Sequence, residues 1–375
     1  MRIVLATPIY PPAVGGPAEY AATLPKQLVG LHEVVVVAYT NEPSSTDDRL
    51  IAVRTDRLLP IRLVQFFFAL WGVSKEADVL YAQNAVAAGL PAVLVGILRS
   101  KRVVIKFVGD EAWERAAGSG RTTKRLPEFL QNPDGGIRTT IFMAIQKFVL
   151  RHADVVTTPS AYLGECIVHA YRLPRDHVVT NYNAAAPHTP LIIPLRKKHQ
   201  LATAVRLVNW KGVDGIIQAV ALLTKDYPDI SLMIAGDGPE RARLETLVSS
   251  LEIRPQVTFL GSIPQKDAEQ LFAESSITVL NSTYEGLPFG VLMSFAVGTP
   301  VIATNIPGTD EVVHDGKTGL LIPTENPAEL ARAIAGLFED ETLRTTLTSG
   351  GTALLNADFS WEAHIKKLRH LLYGI

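Results

Sequence analysis

Residues 231–240 read S-L-M-I-A-G-D-G-P-E. Ser231–Ala235 is apolar with no polar alternation, the pattern of a strand covered on both faces. Gly236-Asp237-Gly238 supplies a tight turn, and Pro239 sits where a helix over Glu240–Ser250 begins. A doubly covered strand that feeds a helix through a short turn is half of a crossover unit. It calls for a parallel sheet with helices packed on it, an α/β fold.

The same unit repeats outward in both directions. Buried strands are predicted at Arg2–Ala6, Glu33–Tyr39, Val79–Ala82, Val103–Phe107 and Val155–Thr158, then at Ala204–Val208, Gln256–Leu260, Ile277–Asn281 and Pro300–Ala303. Helix patterns cover Glu19–Val29, Val213–Thr224 and Lys266–Glu274. Residues 183–203 break the rhythm with three prolines and a basic cluster, the signature of a connection between domains. The predicted boundaries are 1–188 for one domain and 200–357 for the second. A C-terminal segment, 358–375, carries a last helix near Trp361–Leu372.

Composition agrees with two folded domains. The chain has 375 residues, 47% hydrophobic and 19% charged, which excludes a disordered chain. A net charge of −1 argues against a general nucleic-acid binder. One cysteine, Cys166, leaves no intrachain disulfide and no cysteine-rich metal site, and fits a reducing compartment. Residues 1–190 carry a net +4 and the rest −5; attraction to anionic headgroups and chance scatter explain this equally well. The opening Met-Arg-Ile-Val-Leu-Ala-Thr-Pro is too short for a signal-peptide core and reads as a first strand. Val79–Leu98 lacks any charge, yet Gln83, Asn84, Gly89 and Pro91 interrupt it. A buried strand and helix account for it better than a membrane span, and a soluble protein is expected.

Six places could carry chemistry. Gly15-Gly16 lies between the first strand and a helix, where free N–H groups attract phosphate; a plain turn fits equally. Gly236-Asp237-Gly238 departs from the dinucleotide fingerprint because the third glycine is missing. Arg206 and Lys211, with Gly212 following, place two cations after a strand, where they can bracket a diphosphate. Glu285, in Tyr284-Glu285-Gly286-Leu287-Pro288-Phe289-Gly290, lies before a helix predicted over Phe289–Val297. Its carboxylate suits sugar hydroxyls, although helix capping is the commoner role. Asp110 follows the strand Val103–Phe107 and is either an acid/base or sugar-hydroxyl acceptor, or an N-cap. Leu58–Trp71, with Arg57 before it, suits either a membrane interface or a buried helix. No zinc-protease, serine-hydrolase or P-loop motif is present.

In this order the pieces resemble the retaining nucleotide-sugar glycosyltransferases of family four, over nearly the whole chain. Gly15-Gly16, Arg206-x-x-x-x-Lys211-Gly212, Gly236-Asp237-Gly238-Pro239 and Val257–Gly261 each match a family motif. So do Glu285-Gly286-Leu287-Pro288 and Gly298-Thr299-Pro300-Val301-Ile302-Ala303-Thr304, the most specific block, with Gly316-x-x-Gly319 and Phe359-Ser360-Trp361 completing the set. The resemblance implies the GT-B fold, two Rossmann-like parallel-sheet domains facing an interdomain cleft, with the last helix crossing back to the first domain. It implies catalytic roles for Arg206 and Lys211 on the diphosphate, for Glu285 on the donor sugar and for Asp110 on sugar or acceptor. Donor contacts would come from Gly15, Gly16, Gly236, Asp237, Gly261, Ile263, Gly286, Leu287, Pro288, Phe289 and position 293. Neither a metal nor a cofactor beyond the nucleotide-diphosphate sugar is implied. The acceptor would be a glycan or a lipid-linked glycan, with membrane surface contact through the N-terminal domain. That places the protein in the cytoplasm, peripheral at the inner membrane face. Met293 stands where the family has a second glutamate for the ribose, which keeps a weak or silent nucleotide-binding subunit in play. A nucleotide-sugar epimerase is the third reading.

Overall fold

The computed structural model describes residues 1–13, 15–41, 49–185 and 196–374. The chain divides into two compact units, Met1–Tyr182 with His364–Ile375, and Asn183–Ala363. The domain boundary expected at 188, and the prolines 187, 190 and 194 of the connection, lie outside the described residues.

The first unit runs β1 (Arg2–Thr7), α1 (Gly16–Gln27), β2 (Glu33–Tyr39), β3 (Leu50–Val53), α2 (Leu59–Ser74), β4 (Val79–Gln83) and α3 (Leu90–Arg99). It continues with β5 (Arg102–Lys106), α4 (Glu111–Gly118), α5 (Leu126–Gln131), α6 (Ile137–His152), β6 (Val155–Thr158), α7 (Ala161–Tyr171) and β7 (Val178–Thr180). All strand pairs are parallel, in the order β3-β2-β1-β4-β5-β6-β7. The order reverses between β1 and β4, the switch point at which open α/β sheets admit ligands. Strand β2, a valine run, is buried from Val34 to Tyr39, as a strand covered on both faces must be. The uncharged stretch from Val79 becomes β4, a single π turn and α3. Among the described residues no helix is long and apolar enough to cross a membrane.

The second unit runs β8 (Lys197–Ala204), α8 (Val213–Leu223), β9 (Ser231–Ala235), α9 (Arg241–Ser250), β10 (Val257–Gly261), α10 (Gln265–Glu274), β11 (Ser275–Leu280) and α11 (Phe289–Ala296). It ends with β12 (Val301–Thr304), β13 (Leu320–Ile322), α12 (Pro327–Glu339), α13 (Glu341–Asp358) and the start of α14 (Trp361–Tyr373). The sheet is again parallel, ordered β10-β9-β8-β11-β12-β13, with its switch between β8 and β11. Leu201, Leu232, Ile234, Ile277 and Val279 pack against Ile216, Val220 and Ile334 to form its main core.

One strand lies elsewhere than the sequence suggested. Ala204–Val208 was expected as a strand, but β8 ends at Ala204 and begins at Lys197, inside the segment read as a connection. Register decides it: Gln200 to Ala204 pair with Ser231 to Ala235. Val205 and Leu207 are then spent in loop contacts, and Arg206 projects from that loop instead of from a strand end.

Candidate functional site

The site in the second unit grows from loops at the carboxyl ends of β8 and β11, the two strands that flank its switch point. After β8 the chain passes under the next turn. Val205 N–H donates to Ala235 O (2.9 Å), Leu207 N–H to Asp237 O (2.9 Å), and Glu240 N–H to Leu207 O (3.1 Å). The two glycines of the quoted stretch make this crossing fit. A Cβ on Gly236 would stand 1.9 Å from Val205 O, and one on Gly238 2.3 Å from Leu207 O. Gly236 N–H also donates to Gly261 O at 2.7 Å, so the turns after β9 and β10 are tied together.

Farther along, a 3-10 turn at Asn209–Lys211 ends in Gly212, whose φ of +58° is the left-handed region. That turn docks on the loop after β11. Thr283 N–H donates to Trp210 O (2.8 Å) and Asn281 Nδ2 to Gly212 O (2.8 Å). The docking brings together two residues singled out in the sequence: Lys211 Nζ lies 2.6 Å from Glu285 Oε1. Ser282 Oγ donates to the same oxygen at 2.6 Å, and Thr304 Oγ1 in turn donates to Ser282 O. Glu285 is only 6% exposed, and Lys211 is largely covered. Arg206 is exposed on the same loop.

Glu285 does not cap the helix that follows it. Pro288 takes the N-cap position of α11 and supplies no side-chain cap, while Val291 N–H donates to Pro288 O at 3.0 Å. The N–H groups of Phe289 and Gly290, ahead of it, suit an anionic ligand. Gly286, Leu287 and Pro288 complete the approach, with Leu287 and Pro288 buried. Met293, one turn into α11, is 6% exposed and packs among Ala202, Ala235, Leu271 and Phe272, with Ile263 and Phe289 against the edge of that cluster. A thioether in such a cluster accepts no ribose hydroxyl. Asp237 caps its own turn, its Oδ1 accepting from Gly238 N–H at 2.7 Å.

Gly15, Gly16 and Asp110 belong to the first unit. Gly15 is the N-cap of α1, again without a side-chain cap, and a Cβ on Gly16 would meet nothing within 4 Å. Asp110 is fully buried at 0% exposure and caps α4: Oδ1 accepts from Trp113 N–H (2.9 Å), and Oδ2 from Gln146 Nε2 (3.1 Å) and Tyr171 O–H (2.5 Å). Burial raises its pKa against the pull of those hydrogen bonds. With its acceptor positions filled from within, the carboxylate offers nothing to a sugar, and the capping role is the one the geometry carries. Its neighbour Glu111, part of the same acidic stretch but given no role from the sequence, is buried 3.9 Å from the Arg115 guanidinium, and burial pushes it up to about 7 against that attraction. Ser282 was also overlooked; a serine three residues before the glutamate was the only available signal.

The sequence matches the family model for glycosyltransferase family 4 over residues 14–187 and the model for group 1 glycosyl transferases over residues 193–353. Among curated relatives, the alpha-D-kanosaminyltransferase of Streptomyces kanamyceticus is 32% identical over 158 residues, 42% of this chain and 41% of that protein. The lipopolysaccharide core biosynthesis glycosyltransferase LpsE of Rhizobium meliloti is 36% identical over 158 residues, 42% of this chain and 45% of that protein. The chain thus spans less than half the length of these relatives. Sucrose-phosphate synthase from Thermosynechococcus elongatus overlays with a TM-score of 0.78 at 20% identity, covering 100% of this chain and 99% of that one. Anabaena HepE, solved in complex with UDP, gives 0.75 at 17% identity with both chains covered completely. Two parallel-sheet units that overlay so, matched in succession by the two family models, place the chain among the family 4 glycosyltransferases of the GT-B fold.

Proposed function

We propose that the protein is a retaining glycosyltransferase that moves a hexosyl group from a nucleotide-diphosphate sugar to a glycan or lipid-linked acceptor without a metal. The observation that carries this reading is the Lys211–Glu285 pair at the switch point, with Arg206 exposed on the same loop. A diphosphate entering there offers Lys211 a stronger anionic partner than one carboxylate. Lys211 and Arg206 then neutralise the charge that develops on the leaving group. Glu285, released from Lys211 but still held by Ser282, accepts hydrogen bonds from the donor sugar. The uncapped amides of α11 add partial positive charge behind the phosphate. Retention rests on the family resemblance: a front-face path in which the leaving phosphate takes the acceptor proton. The solved complexes of HepE with UDP and with UDP-glucose support a nucleotide-sugar donor.

The test is sugar transfer or donor hydrolysis across a panel of nucleotide sugars. Arg206→Ala, Lys211→Ala and Glu285→Ala are each expected to lose about 10²-fold or more. Full activity in all three would break the site assignment. Met293 favours a second reading, a subunit that binds nucleotide and turns nothing over; calorimetric binding with no turnover across the panel would establish it. The comparisons lend the epimerase reading no support.

The proposed setting is the inner membrane face. Helix α2 exposes Leu59, Ile61, Val64 and Phe68, the last 63% exposed, and α3 exposes Ile97 and Leu98. Arg57 lies just before α2, and Arg99 stacks on Trp71 at 3.9 Å. An apolar helical face with arginines at its margins fits an anionic lipid surface.

A further inference from the structure

The carboxyl edge of the N-terminal sheet carries polar side chains that donor chemistry does not use. Parallel register sets Gln83 beside Lys106 and Lys106 beside Thr157, so all three leave the sheet on one face. Gln83 ends β4, one of the two strands at this sheet's own switch point, and Lys106 ends the next strand. Lys106 is 3% exposed, and its Nζ has no hydrogen-bond partner; neither has Gln83 Nε2. Gln83 Oε1 lies 3.3 Å from Thr7 Oγ1, whose shorter contact is Ile9 O at 2.9 Å, and the amide nitrogen is the end without a partner.

Among the described residues, the groups set against this ammonium are neutral. The Tyr20 ring lies 4.5 Å from Nζ. His364 Nδ1 is 2.6 Å from Tyr182 O, which can only accept, so Nδ1 carries the proton. His364 Nε2 therefore accepts from Tyr20 O–H at 2.7 Å, and Tyr81 O–H donates to Tyr20 at 3.0 Å. Burial, reinforced by the nearby Lys106, pushes His364 down to about 3, so the imidazole stays uncharged. Among the described residues no carboxylate pairs with Lys106. A buried cation without a counter-charge is costly, and burial alone pushes Lys106 down to about 7.

We propose that Lys106 and Gln83 form an anion subsite in the N-terminal unit that receives a carboxylate or phosphate group carried by the acceptor. Both leftover atoms are N–H donors, and an oxyanion, which only accepts, complements both at once. The site sits where parallel sheets take ligands, as the Lys211 site does in the other unit. The name acceptor rests on the proposed transfer reaction; the anion chemistry does not. Binding draws a proton from solvent onto Lys106, because the anion favours the charged amine.

The experiment uses the full chain with Arg206→Ala and Lys211→Ala, which removes the donor cations, and no nucleotide sugar. Thermal melts are titrated with acetate and with inorganic phosphate against chloride at equal ionic strength. A rise in Tm with acetate identifies a carboxylate ligand, and a rise with phosphate identifies a phosphorylated one. Adding Lys106→Met is expected to abolish the rise and, in calorimetry at pH 8 in buffers of different ionisation enthalpy, the proton uptake. No rise with either anion, or an equal rise after Lys106→Met, overturns the proposal. Should Lys106→Met fail to fold, Gln83→Leu replaces it, expected to weaken anion binding several-fold; unchanged binding overturns the proposal equally. Donor turnover by the unaltered chain is measured separately, so the two readings fail independently.

Discussion

The two units treat the covered lysines at the carboxyl edges of their sheets in opposite ways. In the second unit Lys211 lies 2.6 Å from Glu285, and the carboxylate is steadied by Ser282. In the first unit Lys106 is more deeply buried and faces only aromatic and neutral polar groups. A paired site is already balanced, and a ligand that brings its own charge exchanges one partner for another. An unpaired buried amine has no such balance; it sheds its proton or waits for an anion. The contrast teaches that a strong ion pair and a missing one can both mark a place where a ligand enters.

The largest expected effect breaks the paired side of the contrast. Lys211→Met leaves the Glu285 carboxylate buried without its counter-charge, held by Ser282, and should lower stability by about 3–5 kcal/mol while transfer falls about 10²–10³-fold. Lys211→Met with Glu285→Leu should restore much of the stability and none of the transfer. Denaturant melts and initial rates on the four members of the cycle separate the two effects.

The unpaired side is tested by pH. The unfolded chain holds the Lys106 proton up to about its ordinary 10.5, whereas the folded chain releases it near 7. Stability from this group therefore rises with pH between those values, and Lys106→Met should flatten that rise. Glu111 works in the opposite sense. Its folded pKa of about 7 lies above the ordinary 4.5, so its contribution is complete below 4.5 and is lost as pH climbs through 7. Glu111→Gln should remove that decline. Urea midpoints at several pH values check both slopes, and equal slopes in variants and parent would erase the contrast.

Asp110 supplies a third kind of buried charge, one satisfied by hydrogen bonds. Asp110→Ala removes a cap and strands Gln146 and Tyr171, an expected loss of about 3 kcal/mol. Transfer per folded molecule should be unchanged; a selective fall in kcat would return Asp110 to the chemistry. The smallest effect concerns the surface. Phe68→Ser is expected to weaken binding to anionic vesicles about tenfold, read by flotation, with transfer to a soluble acceptor unaltered.

Much of the fold was legible because buried parallel strands announce themselves. Ser231–Ala235 is a strand from first residue to last, and Gly236 and Gly238 stand where a Cβ would strike the preceding loop. The short strands β3, β7 and β13 escaped because three or four residues carry no period. Val205 to Val208 misled because a loop buried under a turn is as apolar as a strand. In the site, Lys211 and Glu285 were both legible, but not that they pair, since 74 positions separate them. Lys106 gave no signal at all. Its burial depends on Tyr20 and on His364, which lie 344 positions apart yet share a hydrogen bond.

That same hydrogen bond gives the segment from His364 onward unusual weight in the first unit. The first unit includes His364–Ile375, and Asn183–Ala363 is threaded into it as an insert. His364 closes over Tyr20, and Leu371 O accepts from the Arg102 guanidinium at 3.1 Å. A nonsense mutation after codon 363 would spare every donor-site residue named here and still remove His364 and Leu371 from the first unit. On the ribosome, the first unit gains His364 only after the whole of the second has been made.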